Sequence, residues 1–143
     1  MRKFCTFTIG DVRFGVDVLK VLAILNQVEI IRVPLANRTI AGLIQYRGQI
    51  ITVIDLRRKF EFPDRKNENF FHAIVKTKRG IISLLVDQVD EIEEITQNTR
   101  VEMSKSIHGI DSFFISYTYR FDDYVLLILD VDKIVETKSE VFT

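Results

Sequence analysis

Ile-Ala-Gly-Leu-Ile-Gln-Tyr-Arg-Gly-Gln-Ile-Ile-Thr-Val-Ile-Asp-Leu-Arg-Arg-Lys-Phe, residues 40–60, is the stretch on which the reading of the fold turns. Leu43-Ile44-Gln45-Tyr46 runs into Arg47-Gly48, and Gln49 to Ile54 returns, which reads as strand, tight turn, strand. Asp55 then stands where its carboxylate can accept the unpaired first-turn N–H groups of a short helix, Leu56 to Phe60. The same grammar recurs later in the chain. A shift of 75 residues lays Ile40 on Ile115, Ile44 on Tyr119, Tyr46 on Phe121, Ile50 on Val125, Val53 on Ile128 and Asp55 on Asp130. Two copies of strand, turn, apolar strand and aspartate-capped helix predict two similar β-subdomains that share a core, with a cleft between them.

Period-2 alternation dominates the rest of the chain. Cys5, Phe7 and Ile9 share one face and Thr6 and Thr8 the other; after Gly10-Asp11, Val12, Phe14, Val16 and Val18 resume the apolar face, with Arg13, Gly15 and Asp17 facing out. This is a β-hairpin, with the glycine supplying the positive φ of a primed turn. Residues 19–33 read as an apolar strand entered through a short turn, Pro34 ends it, and Ala36-Asn37-Arg38 could form one helical turn. Residues 63–69 are polar and read as an exposed loop. Strands follow at 71–76, 81–86 and 89–95, then a polar, irregular stretch over 96–112. Phe113, Ile115, Tyr117, Tyr119 and Phe121 alternate with polar neighbours, Asp122-Asp123 turns, Tyr124 to Leu129 is continuously apolar, and Asp130 caps a helix through Val135. About nine strands with only short helices argue an all-β barrel or sandwich.

Bulk properties narrow the function. The 143 residues are 47% hydrophobic and 28% charged, enough for one globular domain with a real core. No apolar run approaches the roughly 20 residues needed to span a bilayer. The alternating start is unlike a signal peptide, and the single cysteine, Cys5, rules out an intrachain disulfide. The expectation is a cytoplasmic protein without direct membrane insertion. Net charge is zero, but residues 1–60 hold ten Lys/Arg against four Asp/Glu and residues 61–143 hold ten against sixteen. Such a split fits either a basic face for an acidic partner or two halves that complement each other.

The residues offer little to catalysis. His72 and His108 are 36 positions apart with no ligand spacing around Cys5, and read as surface or turn histidines. Asp87, Asp90, Glu91, Glu93 and Glu94 lack the glycine and spacing of a calcium loop and read as a solvated strand face. Cys5 falls on an apolar strand face, no Gly-x-Ser-x-Gly elbow is present, and the six glycines are isolated. Asp17 and Asp55 could pair as acid and base, but read more simply as an outward strand residue and a helix cap. No enzyme, metal site or cofactor is expected. A small β-barrel binding single-stranded nucleic acid is the alternative, with Tyr46, Phe60, Tyr117 and Tyr119 as stacking aromatics beside Arg47, Arg57, Arg58 and Lys59. A neutral chain lacks the electrostatic footprint of such binders, so no nucleic acid is counted among the partners.

One further pattern spans the chain. Phe7 and Gly10, Phe14-Gly15-Val16-Asp17-Val18, Val21, Ile24, Val33-Pro34, then Ile40, Gly42, Arg47-Gly48, Ile50, Val53-Ile54-Asp55-Leu56-Arg57 and Phe60 resemble the chemotaxis coupling protein family, CheW and its relatives. Leu126 to Leu129 followed by Asp130-Val131-Asp132-Lys133-Ile134 is similar to the family's close. The resemblance implies one domain over residues 1–143, made of two intertwined five-stranded barrels of Src-homology-3 type. It implies a non-catalytic scaffold that couples the cytoplasmic tips of chemoreceptors to the regulatory domain of a CheA-type histidine kinase. By position, Val21, Gly42, Arg47 and Gly48 match residues linked to partner contact in relatives. The two glycines also have a reading in backbone geometry alone, and Val21 one as plain core. Arg47, beside a tight turn between apolar strands, can reach across an interface to a carboxylate or to backbone carbonyls. Ala23, Gln45-Tyr46 and Tyr117 depart from the family pattern, which often has glutamate, Asn-Leu and glycine there.

Overall fold

The computed structural model describes residues 2–34, 36–66, 69–96, 100–101, 106–107 and 109–136. In chain order the strands are β1 (Arg2–Ile9), β2 (Val12–Asp17), β3 (Val21–Asn26), β4 (Ile40–Tyr46), β5 (Gln49–Asp55), β6 (Phe71–Thr77), β7 (Gly80–Val86) and β8 (Gln88–Ile95). There follow the two-residue strands β9 (Arg100–Val101), β10 (Ser106–Ile107) and β11 (Ile110–Asp111), then β12 (Ile115–Arg120) and β13 (Val125–Leu129). Single-turn helices α1 (Leu56–Lys59) and α2 (Val131–Ile134) follow β5 and β13. Two 3₁₀ turns, Val18–Lys20 and Ser112–Phe114, lead into β3 and β12. No helix among the described residues is long and apolar enough to cross a membrane.

The strands make an all-β architecture of two main sheets. One runs β8-β1-β2-β13-β12 with the short β9 beyond, the other β3-β6-β7-β5-β4. The two orders are the same arrangement written twice. In each, an antiparallel hairpin (β1–β2 or β6–β7) lies parallel to the first strand in from the far edge, β2 beside β13 and β7 beside β5. The 75-residue echo over β4–β5–α1 and β12–β13–α2 is therefore structural. It also extends to a feature the echo did not contain. The strand leaving each hairpin does not stay with it: β3 crosses to pair with β6, and β8 crosses to pair with β1. The two halves are intertwined by reciprocal exchange of one strand.

Three packed clusters follow from this. Phe7, Phe14 and Val16 meet Ile54, Val75, Leu84 and Leu127 between the sheets, all at most 6% exposed. Each sheet also wraps around a cluster of its own. Ala41, Ile44, Ile51, Val53, Ile74 and Leu85 pack together with Ala23 and Leu25, so both edge strands, β3 and β4, face one interior. Phe4, Tyr119, Leu126 and Ile128 do the same in the other sheet, with Ile95 of β8. Central strands are thus apolar on both sides, which is why β13 reads as a continuous run (Leu126 and Ile128 inward, Leu127 and Leu129 toward the other sheet) instead of an alternation. Both helices are capped as expected: Asp55 accepts from the Arg57 N–H at 2.9 Å, and Asp130 from the N–H groups of Asp132 and Lys133 at 3.1 and 3.2 Å.

Several local expectations change. Asp17 is the last residue of β2, as expected, and has a second role as the cap of the 3₁₀ turn, accepting from the Leu19 N–H at 2.9 Å. Ala36-Asn37-Arg38 forms no helix; the Asn37 side chain accepts from the Thr39 N–H at 2.9 Å and holds a bend instead. His72 is no surface histidine: it lies in β6 and is fully buried. His108 lies outside the described residues, as does part of the irregular 96–112 stretch.

The acidic stretch is only half solvated. Glu91 and Glu94 are exposed, but Glu93 accepts from the Tyr124 hydroxyl at 2.9 Å, and Asp90 from the Thr8 hydroxyl. Asp87 sits on the crossing from β7 to β8 and accepts from four donor nitrogens. Arg57 donates to it through Nε (2.9 Å) and Nη2 (2.6 Å), Arg65 through Nη2 (2.9 Å), and Gly10 through its backbone N–H (2.8 Å). Burial alone would raise the Asp87 pKa, but the bonds from Arg57, Gly10 and Arg65 outweigh it and hold the carboxyl below its ordinary value. One side chain thereby fastens the β1–β2 turn, α1 and the following loop to the crossover. Asp87→Ala leaves two partly buried guanidiniums without that acceptor and is expected to cost about 2 kcal/mol in urea denaturation. A carboxyl with a depressed pKa stabilises above its unfolded pKa of ~3.9, and that stability drains as pH falls below it, so wild type and variant should converge in acid. Equal stability at pH 7, or parallel pH profiles, would remove Asp87 from this role.

Candidate functional site

The hairpin tip between β4 and β5 is a two-residue loop closed by the Tyr46–Gln49 pair. Arg47 has φ 49° and Gly48 φ 79°, the sign a type I′ turn requires at both positions. Asparagine, aspartate or glycine fill the first of these positions at little cost; an arginine is there against local preference. Its side chain is exposed and lies over the Tyr46 ring, guanidinium carbon 5.6 Å from the centroid, with no carboxylate partner among the described residues. Gly48 has open space around it, so its glycine answers to the backbone.

Gly42 lies on the same hairpin, but its position is inside. It is buried at φ 149°, in a β-bulge between Ile40 and Gly42. The chain that leaves β3 returns here: Ile31 and Leu43 exchange two backbone bonds of 2.8 Å. A Cβ on Gly42 would stand 2.3 Å from the Ile31 carbonyl oxygen and 2.7 Å from Ile30 Cγ2. Gly42 therefore lets the post-β3 segment pass against β4. Its counterpart 75 residues on is Tyr117, in an equivalent bulge, where the phenol ring lies under Arg2 at 4.9 Å.

Val21 begins β3 on the opposite edge of this sheet, half-buried against the core between the sheets. The structure thus unites Gly42, Arg47 and Gly48 on one hairpin and sets Val21 apart. None of the four lines the cavities of about 590, 540 and 210 Å³ that open beside residues 27–32, beside Arg57 and Asp87, and beside α2. What links the two places is the chain from β3 through Ile31 to Leu43. Beside Val21 the structure exposes three apolar side chains that the alternation did not single out: Leu19 (85% exposed), Leu22 (43%) and Ile24 (39%). Leu22 and Ile24 stand on the outer face of an edge strand. The sequence signal was there, an apolar run with no polar alternate, but nothing in it told a two-sided buried strand from an apolar edge.

Tyr46, Phe60 and Tyr119 are 4–8% exposed and so cannot act as stacking platforms for bases. Cys5 is half-buried, and burial together with the Asp17 charge pushes its thiol pKa up, away from an activated thiolate. Among the described residues no group of three or more His, Cys, Asp or Glu side chains is placed to hold a metal ion.

Comparison with known proteins gives one consistent result. The sequence model of the CheW-like domain matches residues 3–139. The chemotaxis protein CheW of Thermotoga maritima is 27% identical over 139 residues, spanning 92% of this chain and 85% of that protein. That of Treponema pallidum is 22% identical over 139 residues, spanning 94% and 82%. The crystal structure of the scaffolding protein TtCheW from Thermoanaerobacter tengcongensis superposes with a TM-score of 0.86 at 28% identity, covering 96% of this chain and 89% of the other.

The packing at Gly42 is testable on its own. Gly42→Ala is expected to lower stability by at least about 2 kcal/mol in chemical denaturation and to speed amide exchange at Leu43, since the new methyl must push Ile31 away. A change within 0.5 kcal/mol with Leu43 protection intact would show that the close passage is not required.

Proposed function

The chain belongs to the CheW-like domain family, and from that premise we propose that it is a non-catalytic adaptor, a scaffold coupling chemoreceptors to a CheA-type histidine kinase in chemotaxis signalling. Its partners on this reading are the kinase's regulatory domain and the cytoplasmic tip of a receptor, met in the cytoplasm by a single domain spanning residues 1–143. The near-complete match to family sequence and fold supports the role. One observation supports the site: Arg47 is held, exposed, in a left-handed conformation that a smaller residue would occupy more cheaply. A long cation at that place is explained by what its guanidinium reaches outside the chain. Gly48 allows the turn, and Gly42 seats the strand beneath it.

Val21 is the second part of the proposed site. Its half-buried side chain begins the edge strand whose outer face carries Leu22 and Ile24, with Leu19 in the turn before it. Apolar side chains on an unpaired edge are a ready surface for a partner. Ala23, where relatives often have glutamate, leaves that strand without its charge.

The two parts can be tested separately from folding. Arg47→Asn suits the I′ turn and should leave thermal stability equal or slightly higher, while weakening binding to the kinase regulatory domain or a receptor cytoplasmic fragment about tenfold, ~1.4 kcal/mol. Leu22→Glu on the outer face of β3 should weaken receptor binding similarly, with circular dichroism unchanged. Calorimetric titration with both partners is the measurement, and undiminished affinity in both variants would sink the assignment of these surfaces.

A further inference from the structure

Behind the outer face of β3 lies an ionisable side chain that the adaptor role does not use. His72 of β6 is fully buried and stands directly opposite Leu25 of β3 and Leu85 of β7. Residues opposed in this way point to the same face, so the imidazole lies between those two leucines. Its Nδ1 is 2.8 Å from the hydroxyl of Ser83, itself buried, and the Phe70 ring meets it edge-on, centroids 5.6 Å apart at 79°. Nε2 is buried and has no hydrogen-bond partner among the described residues. The carbonyl of Val28, in the segment between β3 and the Ile31–Leu43 pair, faces the ring without completing a bond.

This pocket suits a neutral ring and not a charged one. A neutral imidazole has one N–H donor and one acceptor nitrogen: with the proton on Nε2, toward the Val28 carbonyl, Nδ1 accepts from the Ser83 hydroxyl and no charge is left to place. An imidazolium has two N–H donors and a charge to place. Leu25 from β3, Ser83 and Leu85 from β7, Phe70 and Val28 carry no charge. The charged group that acts on the ring is Arg65, of the same sign. Arg65 already shares Asp87 with Arg57. Burial is the main cause that lowers the His72 pKa below its ordinary value; the Val28 carbonyl works against it and Arg65 with it.

We propose that His72 is a proton-sensitive pin for the docking strand: a neutral ring keeps β3 and the segment through Ile31 seated on β6, and a proton on the imidazole unseats them and weakens partner binding. The binding half of this statement rests on the reading of β3 as a docking surface. When β3 lifts, the ring meets water and titrates near pH 6.5, so opening is favoured as pH falls below that value and indifferent to pH above it. Because the closed ring's pKa lies below that of the open one, the opening equilibrium grows as pH falls from 7.5 to 5.5, by at most about tenfold.

Hydrogen exchange on the full chain, corrected for the intrinsic pH dependence of amide exchange, reads this directly. Protection of the amides shared by β3 and β6 is expected to fall, by up to about tenfold, from pH 7.5 to 5.5, while β12 and β13 keep theirs. His72→Gln retains a hydrogen-bonding group for Ser83 without titrating and should abolish the difference. A loss spread evenly over both sheets, or one that persists in His72→Gln, overturns the pin. Should that variant not fold, the wild-type imidazole decides by nitrogen-15 NMR. A ring that titrates at pH 6.5 with β3 protection unchanged overturns the proposal; one that stays neutral until β3 opens supports it. Titration of the kinase regulatory domain and a receptor fragment at both pH values separates the two claims. Wild type should lose affinity at pH 5.5 while His72→Gln does not. Wild-type binding that is absent at both pH values, with the exchange effect intact, overturns the docking reading of β3 and leaves the pin standing.

Discussion

Each sheet of this protein is finished by a strand that belongs, in the order of the chain, to the other one. The hairpin β1–β2 has its outer neighbour in β8, and the hairpin β6–β7 has its outer neighbour in β3. This reciprocal exchange makes the two halves interdependent, because a sheet without its borrowed strand has an open edge and an uncovered interior. It also explains why an aspartate stands at each crossing. Asp17 caps the turn into β3, and Asp87 binds Arg57, Arg65 and the Gly10 backbone where the chain leaves for β8. A chain that changes sheets leaves its hydrogen-bond ladder for a few residues, and a carboxylate there supplies the acceptors the ladder no longer provides.

The regions proposed for function are where local preference and native conformation disagree. Arg47 adopts a positive φ on an exposed turn, and Leu19, Leu22 and Ile24 stand in solvent beside a packed core. They are not the only such places, since Gln27 and Glu61 also have positive φ and Ile31, Ile50 and Ile92 are also exposed; the frame itself is consistent, with glycine in the primed turns, aspartates at helix starts and two-sided apolar strands at the sheet centres. Such consistency makes the exceptions informative. The two-fold likeness of the sheets sharpens this, since the same place can be compared twice in one molecule. Gly42 opens room for a crossing segment, and Tyr117 in the matching bulge stacks beneath Arg2 instead. The two halves share a frame, and their surfaces differ.

Much of this frame is written locally and is legible in the sequence. Gly10-Asp11 and Arg47-Gly48 announce hairpins because turn geometry depends on a few dihedral angles. Asp55 and Asp130 announce short helices because a cap needs only its next neighbours. What the sequence withheld is what depends on distant residues. The partners of Asp87 lie 22 to 77 positions away, and an acidic run with a few apolar alternates looks the same whether solvated or paired. His72 looks like any polar residue in a strand until β3 arrives over it from the other half. Residues 19–33 hid their exposed face because an apolar run has the same pattern at an edge as at a centre. Family resemblance names Val21 together with Gly42, Arg47 and Gly48 as partner contacts, and a list of positions does not say that the sheet order puts Val21 on the opposite edge from the other three.

The exchange of strands has a consequence in time as well as in space. Phe4 pairs with Glu93 and Phe14 with Leu127, so the N-terminal hairpin waits for most of the polypeptide before either of its edges is covered. Chains whose contacts span such separations fold slowly, because loop-closure entropy must be overcome before the contacts reward it. During synthesis β1 and β2 leave the ribosome before β8 and β13, and their edges stay unpaired until those strands emerge. The vulnerable moment for this protein is therefore its own biogenesis, when a half-built sheet has the same open edges that chaperones and aggregates recognise.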